Sequence, residues 1–77
     1  MAKSFRPTVS YNQSGRQRTF SMPSYTEVKK NMKEYLMDSE EGEVSVYRHR
    51  RGEWGEWFEN WGRNSKYKPI IIKQGWM

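Results

Sequence analysis

The residues best equipped for chemistry lie close together in the second half of the chain. Arg48-His49-Arg50-Arg51 is followed closely by Trp54. The guanidinium group of Arg is a planar fork that binds phosphate through two hydrogen bonds and also stacks on bases, and the indole of Trp offers a face on which a base can stack. Together these residue types are typical of proteins that bind single-stranded or structured nucleic acid.

Two features of the same stretch weaken this interpretation. Residues 43–65 contain four Arg and four Glu, so the segment is electrically neutral. Side chains alternate between the two faces of a strand, so Arg48 and Arg50 would point one way while His49 and Arg51 point the other. Because Trp and Arg also dominate the hot spots of protein–protein interfaces, the stretch serves equally well for binding a protein.

The sequence contains few candidate residues for catalysis. His49 is the only His, the chain has no Cys nucleophile, and no Ser is marked as activated. Glu53, Glu56 and Glu59 could supply a carboxylate pair for glycoside hydrolysis, but that chemistry needs a deep cleft that so short a chain can hardly enclose. Ion pairs across strands or along a helix explain these Glu residues better. We therefore expect no enzymatic activity and no small-molecule substrate.

Metal and cofactor binding are not expected either. One His and no Cys exclude the usual structural zinc sets, and the acidic residues around Gly42 lack the ligand spacing of a calcium loop. Gly52 and Gly55 precede no Gly-Lys-Ser/Thr sequence, so no phosphate-binding loop is present. The sequence thus predicts a protein without a cofactor.

Length and composition predict one small folded domain that does not associate with a membrane. The chain has 77 residues, of which 34% are hydrophobic and 30% charged, and its mean hydropathy is −1.17. Such values approach those of disordered chains, but four Trp, five Tyr and three Phe can build a core from few residues. No apolar run approaches the roughly 20 residues of a membrane span, and no secretory signal is recognisable, so we expect a cytoplasmic protein.

The excess positive charge belongs to the two ends of the sequence. Residues 1–22 carry four basic residues and no acid, and residues 66–77 carry three Lys and no acid, whereas residues 23–42 carry three Lys against five acids. The first segment is rich in Ser, Thr, Gln and Asn, a composition that cannot offset its ordering entropy. We expect a flexible basic arm over residues 1–22, although the alternation at 18–22 could add an edge strand.

An α-helix over about 24–38 is the clearest predicted element. Ser24-Tyr25-Thr26-Glu27 is a capping box, and apolar residues then recur at helical spacing as far as Leu36. Acidic residues are unfavourable at the negative C-terminal end of a helix, and Gly42 is a natural stop. The helix should therefore end near residues 37–39.

Strands are predicted at about 43–50, 54–61 and 68–74. The last contains Ile70-Ile71-Ile72 after a Pro that suits only a strand start or an edge, and Gly75 would end it. The middle segment also fits a short helix, since Trp54, Trp57, Phe58 and Trp61 fall at i, i+3, i+4 and i+7.

We favour a hairpin for the middle segment, because three strands and one helix close a two-layer fold. The predicted architecture is α+β: the amphipathic helix packs on a three-stranded antiparallel β-meander, and residues 23–77 form the single domain. Two or three of the four Trp should be buried in its core.

Two functions from different classes follow from these residues. The first is nucleic-acid binding, with phosphates held by basic residues and one exposed Trp stacked on a base. The second is a protein-binding regulator or inhibitor that docks an Arg/Trp patch from residues 48–61, or an edge strand such as 70–74, on a larger host protein. The predicted binding residues are Arg16, Arg18, Arg48, Arg50, Arg51, Trp54, Lys66 and Lys68.

Overall fold

The computed structural model describes residues 6–49 and 55–77, which form one α-helix and a single antiparallel sheet. The α+β class is therefore confirmed, but the three-stranded meander is wrong, because the sheet has five strands in the order β2-β1-β3-β4-β5. The strands β2 and β5 form its two edges. The elements are β1 Thr8–Gln13, β2 Arg16–Ser21, α1 Tyr25–Asp38, β3 Val44–Arg48, β4 Trp57–Arg63 and β5 Pro69–Trp76.

The predicted N-terminal arm is also wrong, because residues 8–21 form the β1–β2 hairpin. Its turn residues Ser14 and Gly15 have φ values of 53° and 78°, and a two-residue turn of type I′ needs such positive values at both positions. The strand β1 then pairs with β3 in the interior of the sheet. This segment is mostly polar, but three of its side chains pack in or against the core: Val9, Tyr11 and Phe20.

The helix α1 begins and ends where the sequence predicts. Ser24 is its N-cap, and the Ser24 hydroxyl oxygen accepts a hydrogen bond of 3.3 Å from the Glu27 amide. At the other end the Ser39 amide donates to the Tyr35 carbonyl, and Gly42, with a φ of 73°, lies in the turn that leads into β3. The helix buries one face against the sheet and leaves the other to solvent. The buried residues are Val28, Met32, Tyr35 and Leu36.

The hairpin prediction for the middle segment is confirmed, because β4 pairs with β3 as an extended strand. The strand β5 pairs with β4 and runs on to Trp76, so the predicted end at Gly75 is wrong. Gly75 is tolerated inside the strand because Phe58, its partner on β4, lies against it. A Cβ at Gly75 would lie 3.4 Å from Cε1 of Phe58.

The core between α1 and the sheet is built from aliphatic residues as much as from aromatic ones. Trp61 is buried, Trp57 is half-buried and Trp76 is 43% exposed, while Trp54 lies outside the described residues. Of the described Trp side chains, then, only Trp61 is fully in the core. Within residues 6–49 and 55–77, no helix is long and apolar enough to cross a membrane.

Candidate functional site

The structure does not bring the predicted binding residues together. Arg48 lies at the end of the sheet where β3 ends, whereas Arg16 and Arg18 follow the β1–β2 turn at the other end. Lys66 and Lys68 lie in the β4–β5 turn, at the same end as Arg16 but beside the opposite edge. The remaining three predicted residues lie outside the described residues: Arg50, Arg51 and Trp54.

Glu59 is a buried carboxylate in the middle of β4, with an exposed fraction of 1%. Its Oε1 accepts hydrogen bonds from the Tyr25 hydroxyl at 2.6 Å and from the Trp61 indole at 3.0 Å. Its Oε2 accepts from the Trp57 indole at 3.1 Å and from Nε and Nη2 of Arg48 at 3.3 and 3.2 Å. These donors fill the acceptor capacity of a carboxylate. Glu59 therefore has no lone pair left to take a proton from a substrate.

Arg48 belongs to the same cluster. Besides its ion pair with Glu59, its guanidinium carbon lies 3.7 Å from the centroid of the Tyr25 ring, within the range of a cation–π contact. A buried carboxylate is costly without a compensating cation, so loss of this ion pair would destabilise the fold. Ion pairing, which the sequence indicated for the Glu residues, is confirmed for Glu59. The Arg48 guanidinium is engaged by Glu59 and Tyr25, which leaves it less available to a phosphate.

The strand that the sequence predicts for the middle segment already contains a signal for this cluster. Trp57, Glu59 and Trp61 stand at i, i+2 and i+4, which places all three on one face of a strand. A carboxylate between two indoles on one strand face predicts a buried acceptor with two N–H donors.

Tyr25 makes the stability of the protein sensitive to alkaline pH. Burial raises the pKa of Tyr25 above its ordinary value of 10.0, and the hydrogen bond to Glu59 raises it further. The folded state holds this proton more tightly than the unfolded state, so the stabilisation is complete below about pH 10 and is lost as the pH rises toward the folded pKa. We expect the free energy of unfolding to fall above about pH 10, and to fall less steeply in Tyr25→Phe.

Urea unfolding between about pH 7 and pH 11 measures both slopes. The variant should also lose about 1 kcal/mol at neutral pH, because one donor to Glu59 is missing. Burial raises the pKa values of Tyr11 and Tyr35 as well, so part of the slope should persist. A slope identical to that of the wild type would contradict this role of Tyr25.

Arg18 has partners within the fold although its side chain is exposed. Its Nη1 donates to the Tyr11 hydroxyl at 3.0 Å and to Oε1 of Gln13 at 3.3 Å, and its guanidinium carbon lies 5.4 Å from the centroid of the Phe20 ring. The Tyr11 hydroxyl in turn donates to Asp38 at the end of α1. Arg18 thus links the β2 edge to the helix.

Acidic residues flank the same edge and offset its positive charge. Glu40 accepts a hydrogen bond of 3.2 Å from the Gly15 amide, and Glu41 accepts one of 2.6 Å from the Asn12 side chain. The acidic run after α1 therefore holds the tip of the β1–β2 hairpin. Glu40 and Glu41 thus lie near the hairpin tip from which Arg16 and Arg18 follow, although neither Arg forms an ion pair with a described carboxylate.

The edge strand β5 is the most unusual surface of the described structure. It is eight residues long, and no described segment pairs with its outer side. Ile70, Ile71 and Ile72 are 40%, 37% and 56% exposed. The other edge, β2, is six residues long and carries a single apolar side chain, Phe20, which is half-buried. An edge with exposed apolar side chains and unpaired backbone groups is a ready template for another strand.

A shallow cleft of about 320 Å³ opens at the end of the sheet where β3 ends. Its size is at the lower limit of small-molecule pockets, and its walls are mostly polar. No group of three potential metal ligands occurs in the part of the chain that the structure describes. The residues that line the cleft are Arg6, Thr8, Ser21, Tyr47, Arg48, His49 and Glu56.

No family model, curated protein or solved structure matches this chain. Its function is therefore inferred from the geometry and charge of its own residues.

Proposed function

We propose that this chain is a non-enzymatic protein-binding module and that β5 is the strand through which it binds. The observation that carries the proposal is the exposure of Ile70, Ile71 and Ile72 along an eight-residue edge strand. Addition of a strand to an exposed sheet edge is a recurrent mode of recognition, in which backbone hydrogen bonds give affinity and alternate side chains give specificity. A partner strand would cover the apolar side chains and satisfy the backbone of β5.

Gly62 on β4 extends the apolar surface inward from the edge. Ile70 pairs with Gly62, and a Cβ at that position would overlap Cδ1 of Ile72. The missing side chain lets Ile72 lie across β4 beside Ile70. The two side chains form a continuous apolar strip on one face of the edge, where the side chains of an added strand would rest.

Nucleic-acid binding is the second candidate, and the cleft supports it. Arg6 and His49 line that cleft, and Arg50 and Arg51 follow His49 in the sequence. The candidate is weaker because Arg48 is bound to Glu59, and because the other described basic residues of the prediction lie at the opposite end of the sheet. Binding of a phosphate backbone needs cations that converge on one surface, and the described cations of the predicted binding set do not.

Replacing the apolar strip tests the proposal. The double variant Ile70→Lys/Ile72→Lys should lose its protein partner, because two charged side chains would lie where an added strand packs. Met37→Lys is the control, since Met37 is 67% exposed on the helix and its replacement also puts a Lys in place of an apolar side chain, with one added charge instead of two. Each tagged protein is used to capture partners from a lysate of the source cells, with and without nuclease, followed by mass spectrometry.

The proposal predicts a nuclease-resistant protein that the wild type and Met37→Lys retain and that the double variant loses by more than about tenfold, as removal of a hot spot does. Urea unfolding verifies that the double variant is folded. Equal retention by all three proteins would overturn the role of β5. Capture that disappears on nuclease treatment would favour the second candidate.

A further inference from the structure

The charges around β5 indicate what kind of strand it receives, if its role in binding is as proposed. Residues 60–77 contain four basic residues and no acid. We infer that the occupant of the β5 edge is an extended, acidic segment of another protein. The basic residues are Arg63, Lys66, Lys68 and Lys73.

These cations flank the edge at its start and in its middle. Arg63 pairs with Pro69 at the start of β5, Lys66 and Lys68 lie in the turn before it, and Lys73 pairs with Asn60 within the strand. All four side chains are exposed. A partner strand alongside β5 would therefore pass basic groups at two points along its length.

No described carboxylate lies within ion-pair distance of any of the three Lys side chains. Glu43 approaches this part of the sheet, but its carboxylate accepts a hydrogen bond of 3.1 Å from Asn60, one strand inward from Lys73. The one ion pair found among the described residues lies in another part of the sheet and joins Arg48 to Glu59. The positive charge beside β5 is thus left to solvent, where it can attract an acidic partner.

A second copy of this chain is a poor occupant of the same edge. Pairing of β5 with its symmetry mate would bring both sets of Lys side chains together, and like charges across a strand pair are destabilising. Pro69 and the bulge opposite Asn60 and Trp61 limit the backbone pairing of any added strand, so they do not distinguish a second copy from another partner. The Lys residues do, because they oppose copies of the chain and favour carboxylates.

The complementary segment is extended and carries apolar side chains toward Ile70 and Ile72, with Asp or Glu toward Lys68 and Lys73. Its length should match the eight residues of β5. Ion pairs at an exposed edge are individually weak, so the acidic residues set the preference among strands more than the total affinity.

Three synthetic peptides of about eight residues with blocked ends test this inference. On the face that meets Ile70 and Lys73, each carries Val at its centre and Glu, Ser or Lys toward its ends, and the other face carries Thr throughout. They are called Glu/Val, Ser/Val and Lys/Val. Each is titrated into the full chain while the backbone amide resonances are followed by NMR, which detects millimolar binding. The Glu/Val peptide should shift the β5 resonances with a Kd about tenfold below that of Ser/Val, a difference that two or three exposed ion pairs can supply. The difference should shrink in high salt.

A charge reversal on β5 sharpens the test. In Lys68→Glu/Lys73→Glu two Glu face the remaining Arg63 and Lys66, so the preference should disappear and Glu/Val should no longer bind more tightly than Lys/Val. The matched control is Lys30→Glu/Lys33→Glu, which changes the net charge equally on the exposed face of α1 and should keep the original preference. Loss of the preference in both variants would show that net charge alone decides, and would overturn the inference.

The remaining outcomes separate this inference from the proposed function. If Ser/Val binds β5 as tightly as Glu/Val, the acidic preference is wrong while binding at the edge stands. If none of the peptides shifts the β5 resonances, the edge does not accept strands, and the proposed function falls with the inference. If dilution of the free chain alone shifts them, the occupant is a second copy.

Discussion

Glu59→Ala is expected to destabilise the protein by about 3–5 kcal/mol, because it leaves the Arg48 guanidinium without its counter-ion in a largely buried site. The substitution also removes the acceptor for the Tyr25 hydroxyl and for two indole N–H groups. A domain of this length is stable by only about 4–12 kcal/mol, so the substitution should remove a large fraction of the total stability. Urea denaturation followed by Trp fluorescence measures the loss.

Glu56→Ala is the matched control, since Glu56 lies close by in the sequence but is exposed. Its effect should stay within about 0.5 kcal/mol. Glu59→Gln should also be destabilising, because one carboxylate oxygen becomes an NH2 donor that faces other donors. A Glu59→Ala protein as stable as the control would mean that the cluster contributes nothing to the fold.

Arg48→Ala has the second largest expected effect, about 2–4 kcal/mol, because Glu59 would stay buried without its cation. Its side chain is 24% exposed, and solvent can therefore replace part of the lost interaction. Arg48→Lys should recover only part of the loss, since an ammonium group lacks the planar fork that binds Oε2 and stacks on Tyr25.

The double variant Arg48→Ala/Glu59→Ala measures the coupling between the two residues. It should be little less stable than Glu59→Ala alone, giving a coupling energy of at least about 1–2 kcal/mol in urea unfolding. Strictly additive losses would show that the two side chains act independently. A strong coupling also affects how nucleic-acid binding by Arg48→Ala is interpreted. A lower affinity of this variant for nucleic acid would reflect the loss of folded protein and not the loss of a phosphate contact.

Features governed by local sequence were predictable. The helix follows from the Ser24 cap and the apolar spacing that continues to Leu36, both of which lie within one segment. The β3–β4 hairpin was chosen over a helix by an argument about closing the fold, and the pairing of Val46 with Glu59 bears it out. The extent of β5 past Gly75 was missed, because the Phe58 ring that lies against this glycine belongs to another strand.

Features governed by distant contacts were not predictable. The sequence predicts a disordered arm in place of the β1–β2 hairpin because most residues of this segment are polar. In β1 the polar residues alternate with Val9 and Tyr11, which pack in the core. Ser14-Gly15 was the available signal for a turn. The role of Arg48 depends on Tyr25 and Glu59, which are far from it in sequence, so the Arg run was interpreted as a surface for a ligand.

Part of the candidate site could be predicted from the sequence. Three consecutive Ile residues after a Pro predict an edge strand over residues 70–74 that could dock on a protein. The strand order is needed to show that β5 is an edge of the five-stranded sheet. It is also needed to show that Arg63 and three Lys flank this edge with no described carboxylate within ion-pair distance.

Hydrogen–deuterium exchange of the complex with the captured partner tests the binding role of β5 most directly. The amides of β5 that point away from β4 should exchange quickly in the free chain and slowly in the complex, while those of the β2 edge stay unchanged. Protection at β2 or around the cleft of Arg6 and His49, with β5 still exchanging quickly, would contradict it.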